Sequence, residues 1–124
     1  MPTSLRTGVD LIEIERFSSA CQRFDQRFLN RIFTPTELAQ NRKNMPSLAA
    51  RFAAKEAVMK ALNAANQGIG FRDIEVLAQP DGKPLITLYG TAKDLAQKLG
   101  ITSFAVSLSH SRDNAIAVVL GDKN

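Results

Sequence analysis

The stretch Arg51-Phe52-Ala53-Ala54-Lys55-Glu56-Ala57-Val58-Met59-Lys60-Ala61 limits the fold more than any other part of the chain. Leu48, Phe52, Lys55, Met59 and Leu62 recur at steps of three and four residues, one stripe of a helix that Ser47 would cap and that runs from Leu48 to about Ala65. The faces beyond that stripe are mostly alanine, so the helix is packed on several sides and other elements must surround it. Lys55 stands on the apolar stripe, where a lysine belongs only if it snorkels or meets an anionic partner. Glu56 and Lys60, four apart, share a face in an orientation that also forms routine surface pairs.

Around this helix the chain alternates short strands and helices. Leu5 to Leu11 reads as a short buried strand in which Gly8 permits a close backbone approach. From Glu13 the pattern turns helical, and Ile14, Phe17, Cys21, Phe24 and Phe28 form one apolar stripe. Thr34-Pro35-Thr36-Glu37 predicts a capping box opening a short helix that stops before Pro46. Asp73 to Leu77 and Leu85 to Tyr89 flank an Asp81-Gly82 turn as one hairpin. Thr91 to Leu99 is a helix closed by Gly100. Phe104 to Ser109 and Ala115 to Leu120 form a second hairpin across His110 to Asn114. This order predicts an α+β domain, a mostly antiparallel sheet packed with a long central helix. With 124 residues and no linker or repeat, one domain over 1–124 is expected.

Bulk properties exclude several classes. No segment reaches the ~20 apolar residues of a membrane span, no signal-peptide core follows Met1, and one cysteine cannot form an internal disulfide. A soluble, cytoplasmic protein is expected. The net charge of +4 favours an acidic protein, a phosphorylated cofactor, nucleic acid or an anionic surface, although ordinary domains also carry such a balance. A single Tyr, no Trp and no zinc-finger or RNP-type signature argue against nucleic acid. One histidine cannot build a histidine metal cage, and no Gly-x-Ser-x-Gly elbow is present, which argues against a hydrolase triad.

Arg16, Arg23 and Arg27 oppose the apolar stripe of the first helix and Arg31 extends the row, a platform for carboxylates or phosphates or simply a solvated face. Asp10, after a strand and before a helix, is placed either to cap that helix or to ligate a metal. Asp10 and Glu56 together would suit magnesium, but nothing local shows that they meet. His110, with serines beside it at a strand end, could bind phosphate or serve as a turn residue.

In order along the chain, Gly8-Val9-Asp10-Leu11 with Glu15-Arg16, then Arg51 to Ala61, Asp73-Ile74-Glu75-Val76, Gly82-Lys83-Pro84 and Ser107-Leu108-Ser109-His110 resemble the holo-acyl-carrier-protein synthase family of short phosphopantetheinyl transferases. The resemblance runs over nearly the whole chain. It implies transfer of 4′-phosphopantetheine from coenzyme A to a serine of apo-acyl carrier protein, releasing adenosine 3′,5′-bisphosphate, in support of fatty acid biosynthesis. It implies Mg2+ held by Asp10 and Glu56, Lys60 near the cofactor phosphates, and Ser109 and His110 in a cofactor-phosphate region. Glu56 becomes the candidate base, directly or through water. The first helix, through Arg16, Arg23, Arg27 and Phe28, resembles the surface that receives the acidic helix of acyl carrier protein, and homotrimers with sites at subunit interfaces are expected. A non-catalytic carrier- or coenzyme-A-binding module is the alternative. Where the family commonly has Gly-Thr-Gly soon after the central helix, this chain reads Lys60-Ala61-Leu62-Asn63-Ala64-Ala65-Asn66 with a short connection to Phe71, and Phe71 replaces a common tryptophan, which touches the expected cofactor contacts more than the metal ligands.

Overall fold

The computed structural model describes residues 5–64 and 67–123, the side chain of Asp25 excepted. Strand β1 (Leu5–Glu13) leads directly into helix α1 (Ile14–Ile32), followed by α2 (Pro35–Asn41) and α3 (Met45–Ala61). A 3-10 turn (Phe71–Asp73) opens the hairpin β2 (Ile74–Ala78) and β3 (Pro84–Leu88); then come α4 (Gly90–Lys98), β4 (Ile101–His110) and β5 (Asn114–Lys123). The strands form two antiparallel sheets, β1-β5-β4 and β2-β3. The expected α+β class with antiparallel pairing and a central helix is what forms.

Helix α3 is central because its small residues let neighbours approach from several sides. Ala49, Ala50, Ala53, Ala54, Ala57, Val58 and Ala61 are all buried. Gly8 on β1 shows how close the approach is: a Cβ there would collide with the carbonyl oxygen of Ala57. Two apolar clusters result, one joining α3 to α4, the hairpin and the sheet, the other joining α1 to the start of α3. No helix among the described residues is long and apolar enough to cross a membrane.

The capping box forms as expected: Glu37 N donates to Thr34 Oγ1 at 3.2 Å, and Thr34 N donates to Glu37 Oε1 at 2.8 Å. Three local expectations change. Asn44, not Ser47, caps α3: Ser47 N donates to Asn44 Oδ1 at 3.1 Å, and Pro46 sits in the first turn, where its missing N–H costs nothing. Strand β1 is longer than expected and buries only one face, since α3 covers Gly8 while Val9 and Leu11 point outward and are exposed. Phe24 leaves the buried stripe of α1 and is exposed, whereas Ile14, Phe17 and Cys21 are buried and Phe28 is half-buried.

Candidate active site

Helix α3 and strand β1 bring Asp10, Glu56 and Lys60 to one place. Lys60 Nζ donates to Asp10 Oδ1 at 2.9 Å and to the carbonyl of Val9 at 3.0 Å. The contact depends on Gly8, because only a residue without Cβ lets β1 lie against the turn of α3 that carries Ala57 and Ala61. Asp10 therefore sits inside β1, paired with Ala117 of β5, and does not cap α1; Glu13 occupies that position.

The electrostatics of the cluster follow from burial. Glu56 is half-buried, and its carboxyl is pushed above the usual carboxylate range, first by desolvation and then by the Asp10 charge, with Lys60 pulling the other way. Two hard-oxygen carboxylates that repel each other are a donor set that a small divalent cation relieves. Magnesium commonly takes only one or two protein carboxylates and leaves its other positions to water and phosphate oxygens. Among the described residues there is no cluster of three or more His, Cys, Asp or Glu side chains that could hold a metal ion.

Ser109 and His110 are not part of this cluster within one chain. His110 pairs with Ala115 of β5, which pairs with Ile12 of β1, so His110 lies two strand spacings from β1, roughly 10 Å. Both residues are exposed, and no hydrogen bond among the described residues links either side chain to Asp10, Glu56 or Lys60. Arg16, Arg23 and Arg27 are exposed along α1, with Phe28 half-buried beside them. Arg16 is also 3.7 Å from Glu13 in an exposed pair.

Reading the sequence marked Lys55 but missed the roles of Glu37, Glu75 and Arg51, which the fold makes prominent. Lys55 is fully buried and donates to Glu37 Oε1 at 2.8 Å, to the carbonyl of Phe71 at 3.0 Å and to that of Ile74 at 2.6 Å. Its anionic partner is thus Glu37, which the sequence marked only as a cap. Glu75, also buried, accepts from Thr34 Oγ1 at 2.6 Å and Tyr89 Oη at 3.1 Å. Arg51 donates to Ser47 Oγ at 2.8 Å, but its Nε is buried without a hydrogen-bond partner. Desolvation pulls the Arg51 guanidinium below its usual range, countered by Glu37. The available signal for Arg51 was an arginine on an otherwise alanine-lined helix.

Comparison with known proteins identifies the family. Residues 6–119 match the family model of the 4′-phosphopantetheinyl transferase superfamily. A holo-[acyl-carrier-protein] synthase of Dehalococcoides mccartyi is 55% identical over 117 residues, covering 94% of this chain and 97% of that protein. The corresponding synthase of Herpetosiphon aurantiacus is 50% identical over 124 residues, covering 94% and 98%. The crystal structure of Helicobacter pylori holo-[acyl-carrier-protein] synthase in complex with coenzyme A superposes with a TM-score of 0.85 at 35% identity, covering 94% of this chain and 99% of that one. The chain belongs to the 4′-phosphopantetheinyl transferase superfamily. Within it, the chain groups with the holo-[acyl-carrier-protein] synthases.

Proposed function

We propose how this chain performs the reaction of its family, the transfer of the 4′-phosphopantetheine group of coenzyme A to a serine of apo-acyl carrier protein. The observation that carries the reading is the meeting of Asp10, Glu56 and Lys60 where β1 crosses α3. Asp10 and Glu56 would hold Mg2+, which when bound supplies positive charge against the diphosphate and its developing charge. Lys60 adds a fixed cation on the same side, and Arg51, with its buried unpartnered Nε, is a further donor for a phosphate-bearing substrate. The carrier serine oxygen bonds to the phosphorus attached to pantetheine, and the bond from that phosphorus to the bridging oxygen breaks. Adenosine 3′,5′-bisphosphate leaves with the electron pair. Glu56, directly or through a water, takes the serine proton. No side chain of this protein forms a covalent intermediate in this scheme.

The outward face of the three-stranded sheet supports a homotrimer. Val9 and Leu11 on β1 and Val118 and Leu120 on β5 are exposed there, with Ala105 of β4 beside Leu120. A site shared between copies would give Ser109 and His110 their cofactor-phosphate role. The arginine row of α1, with Arg16, Arg23, Arg27 and Phe28, receives the carrier. The whole of 1–124 acts as one catalytic domain, in the cytoplasm and in fatty acid biosynthesis; the lone, buried Cys21 suits a reducing compartment.

The test is to incubate the protein with apo-acyl carrier protein, coenzyme A and Mg2+ and to follow carrier mass with and without chelator. A gain of one phosphopantetheine that chelator abolishes is the expected result. No gain with folded protein would replace transfer by carrier or cofactor binding alone. Sedimentation at a mass of one chain would remove the trimer.

A further inference from the structure

Phe24, on the apolar stripe that the sequence predicts for α1, is 54% exposed. At about 100° per residue it lies on the seam of α1, between the buried stripe through Phe17 and Cys21 and the row of Arg27 and Arg31. The ring is held in place from the protein side. Its centroid is 6.0 Å from that of Phe28, Phe28 is 6.3 Å from Phe17, and Phe17 is 5.5 Å from Phe52 on α3. Arg23 places its guanidinium 5.6 Å from the Phe24 centroid. Together Arg23, Phe24, Gln26, Arg27, Phe28 and Arg31 line an open groove of about 770 Å³.

An aromatic ring backed by other rings, ringed by cations and left open to water has the composition of an interface anchor. A second copy of this chain is a poor occupant, because the same face would bring Arg23, Arg27 and Arg31 against their own charges. The charge calls for carboxylates, and the ring calls for an apolar side chain among them. From Arg16 to Arg31 the helix spans about 22 Å, room for a partner helix of about 15 residues.

We infer that Phe24 is an apolar anchor for the carrier protein, seating one hydrophobic side chain of an acidic helix between the arginines and so setting which carriers the enzyme prefers. The inference rests on the reading that the arginine row of α1 receives the carrier. The arginines act at a distance and are screened by salt, whereas the ring acts only on contact and is not screened. The two contributions are therefore separable.

Steady-state kinetics on apo-acyl carrier protein at low and high salt test it, with Phe24→Ala, Phe24→Leu and the double variant Arg23→Glu/Arg27→Glu. Phe24→Ala is expected to raise the carrier KM about fivefold to tenfold at both salt concentrations, with the effect absent from the KM for coenzyme A. Phe24→Leu should recover most of it. The double variant should raise carrier KM strongly at low salt and less at high salt. Replacing the exposed apolar residues of the carrier helix one at a time should reveal one whose loss costs nothing further in Phe24→Ala. If the double variant weakens the carrier and Phe24→Ala does not, the anchor is wrong and the docking reading stands. If neither changes carrier KM, the docking reading itself fails. A Phe24→Ala protein with unchanged carrier KM but an altered sedimenting mass, or with lost binding to anionic vesicles, would assign the ring to a second copy or to a lipid surface and overturn the inference.

Discussion

Helix α3 carries two lysine–carboxylate contacts one turn and a half apart, nearly equal in length and opposite in character. Lys55 meets Glu37 at 2.8 Å with both side chains at 0% exposure, and Lys60 meets Asp10 at 2.9 Å with side chains 56% and 15% exposed. At the first, every donor of the ammonium is used, and Glu37 also accepts from the backbone N–H groups of Thr34 and Val76. At the second, among the described residues, Asp10 accepts through one oxygen only and the Glu56 carboxylate has no hydrogen bond. A saturated pair fixes backbone, here the start of α2, the 3-10 turn and β2. A pair with acceptor capacity left over, beside a second carboxylate, can take a cation and a phosphate. Distance alone does not separate a structural contact from a chemical one; saturation does.

The largest effect should come from breaking the saturated pair. Lys55→Met leaves the Glu37 carboxylate buried without its cation and should cost about 3–5 kcal/mol of stability in urea unfolding. Lys60→Met removes a contact open to water and should cost at most about 1 kcal/mol while suppressing turnover. Equal losses of stability in the two variants would erase the distinction.

Asp10→Asn sharpens the comparison from the other side. It removes a charged donor without changing shape and should lower turnover by about two to three orders of magnitude, with melting temperature held. A variant that kept its turnover would take Asp10 out of the metal site.

Glu56 gives the open site a pH signature of its own. Its folded-state pKa is raised by burial and by Asp10, against the attraction of Lys60. A raised carboxyl binds its proton more tightly folded than unfolded, so stability falls as pH climbs from the unfolded value through the raised one and stays lower above it. Glu56 therefore contributes less to the melting temperature of the metal-free protein at neutral pH than below that interval. Glu56→Gln should flatten that difference and raise the neutral-pH melting temperature while turnover is lost. Magnesium should stabilise the wild-type protein and not the Glu56→Gln variant, as thermal melts with and without the ion would show.

What was legible in the sequence was whatever periodicity and local chemistry encode. The capping box of Thr34 and Glu37, the Asp81-Gly82 turn and the position of α3 all follow from neighbours within a few residues. Lys55 was visible as a charge on an apolar stripe, but its partner was not, since Glu37 is 18 residues away and reaches it only when α2 folds over α3. Asp10 and Glu56 could be paired only by resemblance, because their meeting depends on Gly8 letting β1 lie on α3. Phe24 misled because spacing defines a stripe without saying how wide the covering neighbour is. The sheet and α3 cover Phe17 and Cys21 but not the seam. Ala65 and Asn66, part of the loop that departs from the family pattern, lie outside the described residues.

The smallest effect is expected at Asn63, beside the open site, and it bears on that departure. Helix α3 ends with Asn63 at φ +52°, with Ala64 N donating to the carbonyl of Met59 at 3.0 Å and Asn63 N to that of Lys60 at 3.0 Å. These are the two bonds of a Schellman turn, in which the left-handed residue is usually glycine and sometimes asparagine. Arg6 Nε adds a third partner, donating to the carbonyl of Ala61 at 2.6 Å. Asn63 thus keeps the backbone conformation that a glycine would adopt at this helix end. Asn63→Gly should gain a few tenths of a kcal/mol, and Asn63→Ala should lose about 1 kcal/mol, since alanine lacks both glycine's freedom and asparagine's tolerance of the left-handed region. Because the turn sits directly after Lys60, the KM for coenzyme A reports whether it matters to the site. An unchanged KM in Asn63→Gly would show that the substitution is conformationally silent. A changed KM would mean that the asparagine side chain itself reaches the cofactor, and the open site would extend past the end of α3.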